Sequence, residues 1–514
     1  MSINHKTKQN VLNKYFYALI LAMLASVEAE AQQMVKEPLQ MGKPRLVVNI
    51  VVDQLCNDDL DEYLSLCGND GFKKLLSLGK VYKNGKMPFL PLDCASATAA
   101  ISSGSYPFYN GIPSSEWISR KTTLLMSCTA DQKSLLTPRG NSPSPVNLLS
   151  STLSDELKVS TEKRAKVYGI AVDSEAAIFL AGHCGDGAYW LDNESGRWLS
   201  SEYYSQEPSW LQNYNATVPA AKKIKNGKSQ FTGNSRFLDY KRSAFVNGDI
   251  TNLALECVSS ALLGTDDDTD LLSIQYYAGQ PYKEGKIDLL QSLRDTYLQL
   301  DNAIGKLLSG IESRVGRNNV LFVLSSTGYK EEQHTDYSAY NVPCGTVYIN
   351  RTANLLNMYL SAIYGQAHYV EGYHSNQIYL DRKAIERRKL RLTDVLERCK
   401  EILIMSDGIS DAKTIFSLMN ANDENSKMMR NGMSTDVSGD IIIETFPGWK
   451  IVNENLSRTY PAKQYGLSFP IIFYGAGIEK ETLLEEVTAD RIAPTISKSI
   501  RIRAPNACKT TSLK

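Results

Sequence analysis

Hydrophobic positions recur along this chain in short unbroken runs. Leu46-Val-Val-Asn-Ile-Val-Val-Asp53 is almost continuously β-branched and ends in a carboxylate, the pattern of a strand buried on both faces. Similar runs at Val167 to Val172, Leu271 to Ile274, Val320 to Leu324 and Phe469 to Tyr474 predict further strands. Between them the apolar spacing changes to three and four, as in Leu289, Leu293, Tyr297, Leu300, Ile304 and Leu307, the stripe of an amphipathic helix. Strands alternating with such helices predict an α/β fold: a mostly parallel central sheet with helices on both faces. The rhythm breaks twice. Residues 184–245 are rich in Tyr, Trp, Ser and Asn, and residues 330–440 mix charged helix-like stretches with loops. Both read as cap insertions around the sheet's edge, within a single domain spanning 45–510.

The first apolar run is of another kind. Lys6, Lys8 and Lys14 precede Tyr15 to Val27, and Ala29-Glu30-Ala31 has the small-x-small form of a cleavage site. Residues 1–31 therefore read as a signal peptide cleaved near Ala31, followed over 32–44 by an extended linker bearing Gln, Lys and Pro. No later stretch reaches the roughly 18 apolar residues of a membrane span. The first cysteine, Cys56, lies too far from the cleavage point for a lipid anchor. The expectation is a periplasmic or secreted protein.

Composition narrows the partners. With 56 basic and 56 acidic side chains, no basic field gathers nucleic acid or anionic lipid, which leaves an envelope protein or a small ligand. Nine scattered cysteines give no disulfide framework, and an odd count leaves at least one unpaired.

In open α/β sheets the reactive groups lie just beyond the carboxyl ends of the strands. That singles out Asp53; the segment Pro91-Leu-Asp-Cys94-Ala-Ser; Asp173 and Glu175; Gln280 and Glu284; Ser326 and Thr327; and the loop around Thr459. Several blocks then resemble the alkaline phosphatase superfamily, specifically its exported phosphatases and phosphodiesterases with a threonine nucleophile. They are Ile50-Val-Val-Asp53-Gln, Gly104-Ser-Tyr-Pro107 with Asn110-Gly-Ile112, Ala181-Gly-His183 with Ala188-Tyr-Trp190, and Asp295-Thr-Tyr-Leu-Gln-Leu-Asp301. Ser438-Gly-Asp-Ile441 with Pro447-Gly-Trp449, and Ile492-Ala-Pro-Thr495, complete an ordered set over residues 45–510.

The resemblance implies two zinc ions about 4 Å apart, one activating the nucleophile and one stabilising the leaving oxygen. Of the six ligand positions it implies, only Asp53 keeps the family's residue. The others fall on Gln280, Glu284, Ser326, Thr327 and Thr459. Glu284 can still bind a divalent ion, whereas hydroxyls and an amide are poor zinc ligands. The expectation is no cofactor or, at most, a single divalent cation. The nucleophile position falls on Cys94. The family's phosphate-clamping Lys and Arg fall on Asp173 and Glu175, and its phosphate-binding Asn on Ser115. Two carboxylates repel a phosphate dianion.

Each residue also has a plainer reading. Asp53 can cap the helix that follows, and Cys94 can be a small buried apolar group. Cys94 lacks an Arg six positions on, where Ala100 stands, and a sulfatase-type Pro and Arg, where Ser96 and Thr98 stand. Asp173 and Glu175 can face solvent or cap a helix, and His183 can pack near a strand end.

Three functions are therefore compared. The leading one is an exported, catalytically degenerate member of the superfamily, a binding or scaffold protein of the cell envelope. The alternative is an active phosphatase or phosphodiesterase rebuilt around Asp53 and Glu284, with one hard cation and Cys94 or water as nucleophile. The third is a glycan- or peptide-binding module using the aromatic cluster Tyr189, Trp190, Trp198, Tyr203, Tyr204, Trp210 and Tyr214.

Overall fold

The computed structural model describes residues 43–514 except 132, 134–141, 205–206, 218–219, 221–235, 281–288, 332–340 and 461–464. The signal peptide and most of the linker lie outside these residues.

The Leu46–Asp53 run forms strand β1, and all eight of its residues are buried. Its neighbours are the other apolar runs: β5 (Val167–Ala171), β8 (Asp270–Tyr277) and β9 (Val320–Ser326). The strands β1, β5, β8 and β9 are joined by β6 (Gly187–Leu191), and together the five are parallel, in the order β9-β1-β8-β5-β6. This core is extended at both edges into nine strands. On one side stand β17 (Phe469–Gly475), β2 (Lys80–Lys86) and β18 (Glu481–Thr488), and on the other β7 (Trp198–Leu199). Strand β17 runs antiparallel to β9 and β2, and β7 antiparallel to β6.

Successive residues of a strand face opposite sides, so β1 feeds two cores. Val48, Ile50 and Val52 pack with the helices Val246–Ser260 and Leu289–Val315, while Val47 and Val51 pack with the helices Cys94–Ser103, Leu153–Ser160 and Ile492–Ser499. Leu293, Tyr297, Leu300, Ile304 and Leu307 of the expected stripe are all buried. The helix Ser174–Ala181 lies so close to β5 that a Cβ on Gly169 would fall 2.3 Å from the Ala177 carbonyl oxygen. That close approach fixes the turn carrying Asp173 and Glu175 against the sheet.

Two expectations about the insertions need correction. Residues 184–245 are not wholly a cap, because Gly187–Leu191 is buried throughout and extends the main sheet as β6, with β7 beside it. Tyr189, Trp190, Trp198 and Tyr214 are buried in the cores, so they offer no stacking platform for a glycan; of the cluster, Tyr203 is exposed. The second region is longer than 330–440. Its strands form a four-stranded sheet of 370–374, 377–380, 441–445 and 409–414, and a three-stranded sheet of 346–348, 450–453 and 458–460. These enclose a core of their own around Leu356, Ile378, Val395, Leu396, Ile443 and Ile451.

All nine cysteines are free thiols. Among the described residues no helix is long and apolar enough to cross a membrane.

Candidate functional site

The sheet register brings the strand-end residues together. Asp53 stands opposite Tyr277 of β8, and Val52 opposite Ser326 of β9. Asp173 and Glu175 follow β5 directly, and Cys94 opens the helix Cys94–Ser103.

Asp53 is buried and does not cap a helix. The next helix, Asn57–Tyr63, has Cys56 at its N-cap. Instead the Thr327 hydroxyl donates to Asp53 Oδ1 at 2.9 Å and itself accepts from the Gln54 backbone N–H at 2.9 Å. The Gln54 side-chain amide donates to Oδ2 at 3.4 Å. Gln54 adopts the left-handed φ of 66°, uncommon for a residue with a side chain. Its side-chain oxygen accepts from the Glu331 N–H at 3.1 Å, which ties the residue into the site.

The cations of this site come from a segment that sequence reasoning did not single out. The helix Arg236–Lys241 ends beside Asp173, where Lys241 Nζ donates to Oδ1 at 3.1 Å with its side chain only 3% exposed. Arg242, the next residue, places its guanidinium 3.3 Å from Asp173 Oδ2 and 3.8 Å from Asp53 Oδ2, above the Tyr277 ring. Asp173 occupies an N-cap position but makes no side-chain cap bond, so neither the capping nor the solvent-facing reading holds for it. Glu175 lies partly exposed beside it and accepts from the Ser174 hydroxyl at 3.2 Å.

Cys94 fits its plainer reading, being buried, with its thiol donating to Gln275 Oε1 at 3.4 Å. Gln275 is held in turn by a 3.0 Å bond from its amide to the Thr98 hydroxyl. Asp93 caps the Cys94–Ser103 helix in a capping box with Ser96, and its other oxygen accepts from the Ser115 N–H at 2.6 Å and hydroxyl at 2.9 Å. Ser115 is thus engaged with a carboxylate.

The remaining positions separate. Ser326 donates its hydroxyl to the Leu55 carbonyl at 2.7 Å. Gln280 is placed by a 2.6 Å bond from the Tyr277 hydroxyl to its carbonyl, and its Oε1 is buried with no partner among the described residues. Thr459 is exposed, on a strand of the small three-stranded sheet. Glu284 lies outside the described residues. His183 is structural, its ring nitrogens 3.0 Å from Asp155 Oδ2 and 3.0 Å from the Leu148 carbonyl.

Burial and charge divide the acids. Burial pushes Asp53 up to about 6, although Arg242 and the Thr327 hydroxyl act against it. Burial also raises Asp173, but Lys241 and Arg242 outweigh it and hold this carboxyl below the ordinary range. Glu175 is pushed up to about 7 by burial and by the negative charge on Asp173. Burial, with the charges of Asp53, Glu175 and Asp173, drives the Cys94 thiol far above its usual range, so at neutral pH it stays protonated. The arrangement can therefore order charged ligand groups, while its thiol is held in the neutral form. Among the described residues no three His, Cys, Asp or Glu side chains cluster as a metal would require.

Comparison with known proteins adds to this. The family model "type I phosphodiesterase / nucleotide pyrophosphatase" matches residues 47–466. The chain is similar to alkaline phosphatase PafA of Elizabethkingia meningoseptica, 26% identical over 518 residues, covering 90% of this chain and 93% of that protein. It is likewise similar to alkaline phosphatase PhoV of Synechococcus elongatus, 26% identical over 514 residues, covering 91% and 92%. The crystal structure of wild-type PafA shares the fold, with a TM-score of 0.76 at 24% identity over 92% of this chain and 98% of that one.

Proposed function

This chain belongs to the type I phosphodiesterase / nucleotide pyrophosphatase family, and on that premise we propose that it is an exported member whose site binds a ligand without hydrolysing it. The observation that carries this reading is the Arg242 guanidinium set between Asp53 and Asp173. In a two-metal phosphatase that region is occupied by dications, whose charge the carboxylates offset. Here the protein supplies the positive charge itself. A metal ion on Asp53 would meet Arg242 across a few ångströms of poorly solvated space, where like charges repel strongly.

The donor set supports the same reading. Both oxygens of Asp53 already accept hydrogen bonds. Thr327 and Ser326 use their hydroxyls as donors to protein oxygens, and Thr459 stands on an exposed strand of another sheet. Neutral hydroxyl groups so engaged do not replace imidazole and carboxylate ligands, so the residues at these positions do not fit two zinc ions. The nucleophile position is equally unsuited to attack, because a thiolate needs stabilising positive charge and Cys94 faces three carboxylates.

The test combines metal analysis with turnover. The purified mature chain, dialysed against zinc and then against metal-free buffer, is expected to retain less than one zinc per molecule by plasma emission. It is also expected to show no turnover of aryl phosphate mono- or diesters above that of the Cys94→Ala, Asp53→Ala double variant. Two retained zinc ions, or turnover that this variant abolishes, would overturn the proposal.

A further inference from the structure

The charges around Cys94 do not balance, and the imbalance has a direction. Three carboxylates, Asp53, Asp173 and Glu175, act on the buried thiol against Arg242, and Lys241 joins Arg242 in opposing Asp173. Lys241 is spent, because its buried ammonium is hydrogen-bonded to Asp173. Arg242 is not. Its side chain is 22% exposed, and its contacts at 3.3 and 3.8 Å are looser than the paired short bonds of an Arg–carboxylate fork. A guanidinium has five N–H donors, so several remain for a ligand oxygen.

Glu175 is the complementary case. Among the described residues no Lys, Arg or His lies within ion-pair distance of it, and its hydrogen bonds there come from the Ser174 hydroxyl and its own backbone N–H. It is partly exposed, as is Asp173, but Asp173 is paired with Lys241 and Arg242. A second acceptor also lacks a donor among the described residues: the buried Oε1 of Gln280, carried beside Tyr277, over whose ring Arg242 lies. A simple anion would meet Arg242 but also the carboxylates of Asp53, Asp173, Glu175 and Glu331, and a simple cation would meet Glu175 but also Arg242 and Lys241. A ligand that carries both charges satisfies each group with its opposite.

Resting on the reading of this site as a binding pocket, we infer that it takes a small zwitterion, a protonated amine joined by a short linker to an oxyanion. The amine is placed at Glu175 and the oxyanion at Arg242. Charge-assisted hydrogen bonds of this kind are each worth about 1.5–3 kcal/mol, roughly a tenfold to hundredfold change in affinity.

Calorimetric titration of the mature chain with three probes at one ionic strength tests this: O-phosphoethanolamine, inorganic phosphate and ethylamine. The zwitterion is expected to bind at least about tenfold tighter than either half. Glu175→Gln is expected to erase its advantage over phosphate, and Arg242→Gln its advantage over ethylamine. Phosphate binding as tightly as the zwitterion, or an unchanged affinity in Glu175→Gln, would overturn the inference. The wild-type comparison needs no variant, so a variant that fails to fold does not rescue the idea. Phosphorus NMR of the same samples separates the two proposals. Release of phosphate from the zwitterion would overturn the non-catalytic reading and leave the ligand class standing, whereas tight binding of phosphate alone without turnover would do the reverse.

Discussion

The hydroxyl of Thr327 donates to Asp53 Oδ1 at 2.9 Å, joining the ends of two neighbouring parallel strands through a single oxygen atom. The same oxygen accepts the N–H of Gln54, so one side chain satisfies a buried carboxylate and a backbone donor together. Replacing Thr327 by the near-isosteric Val leaves both without that partner. We expect a loss of about 1–3 kcal/mol in urea unfolding, the usual cost of unsatisfied buried groups, with little change in the slope of the transition. A shift below a few tenths of a kcal/mol would show that water readily takes the place of this hydroxyl.

Arg242 offers a test of coupling. Arg242→Met removes the cation facing Asp53 and Asp173, and breaking a buried pair from one side costs on the order of 3 kcal/mol. Adding Asp53→Asn removes one of the stranded charges, so the double variant should be more stable than the sum of the single effects implies. Strict additivity in a double-mutant cycle would mean that the 3.8 Å contact carries no energy.

The acids at the site predict a pH dependence of definite sign. Glu175 has its folded pKa raised from 4.5 to about 7, and Asp53 from 3.8 to about 6. In that window the folded state holds protons that the unfolded chain has lost, so each group makes stability fall as pH rises and adds a constant penalty above its folded value. Asp173, held below its ordinary value, acts oppositely, and its contribution is lost as the solution is acidified. Glu175→Gln should therefore gain in melting temperature relative to wild type as pH is raised from about 4.5 to about 7, and hold that gain above. A difference independent of pH would contradict the placement of Glu175 beside Asp173.

Thiol accessibility gives a further check. Cys184 and Cys344 are exposed, whereas Cys94, Cys128 and Cys257 are buried with their thiols pushed up by burial. Iodoacetamide at mildly alkaline pH, followed by peptide mass analysis, should modify Cys184 and Cys344 first and Cys94 only after denaturation. Early modification of Cys94 would point to a reactive, open nucleophile position.

Of the core parallel strands, β1, β5, β8 and β9 were legible because each is largely buried on both faces and so mostly apolar, whereas β6 lay in a segment read as an insertion. Strand β18 was not legible, since as an edge strand it carries Glu481, Glu485 and Glu486 and leaves most of its residues exposed. Strand β2 escaped for a similar reason, with lysines at 80, 83 and 86. At the site, Asp53, Cys94, Asp173 and Glu175 could be found by looking beyond strand ends, and the structure does bring them together. Lys241 and Arg242 could not. They lie 68 residues beyond Asp173 in the case of Lys241, in a region without hydrophobic periodicity, and only the folded chain delivers them. From sequence, therefore, the clamp positions showed only the carboxylates of Asp173 and Glu175 and not the cations that face them.

The carboxylates stand on strand ends fixed by the sheet, while both cations arrive on the end of one short helix, Arg236–Lys241, and the residue after it. Positive and negative charge in this pocket are thus inherited from separate parts of the chain. Substitution within a single peripheral segment can rewrite what the pocket selects while the strands that carry the carboxylates stay as they are, giving ligand preference a route of divergence separate from the sheet.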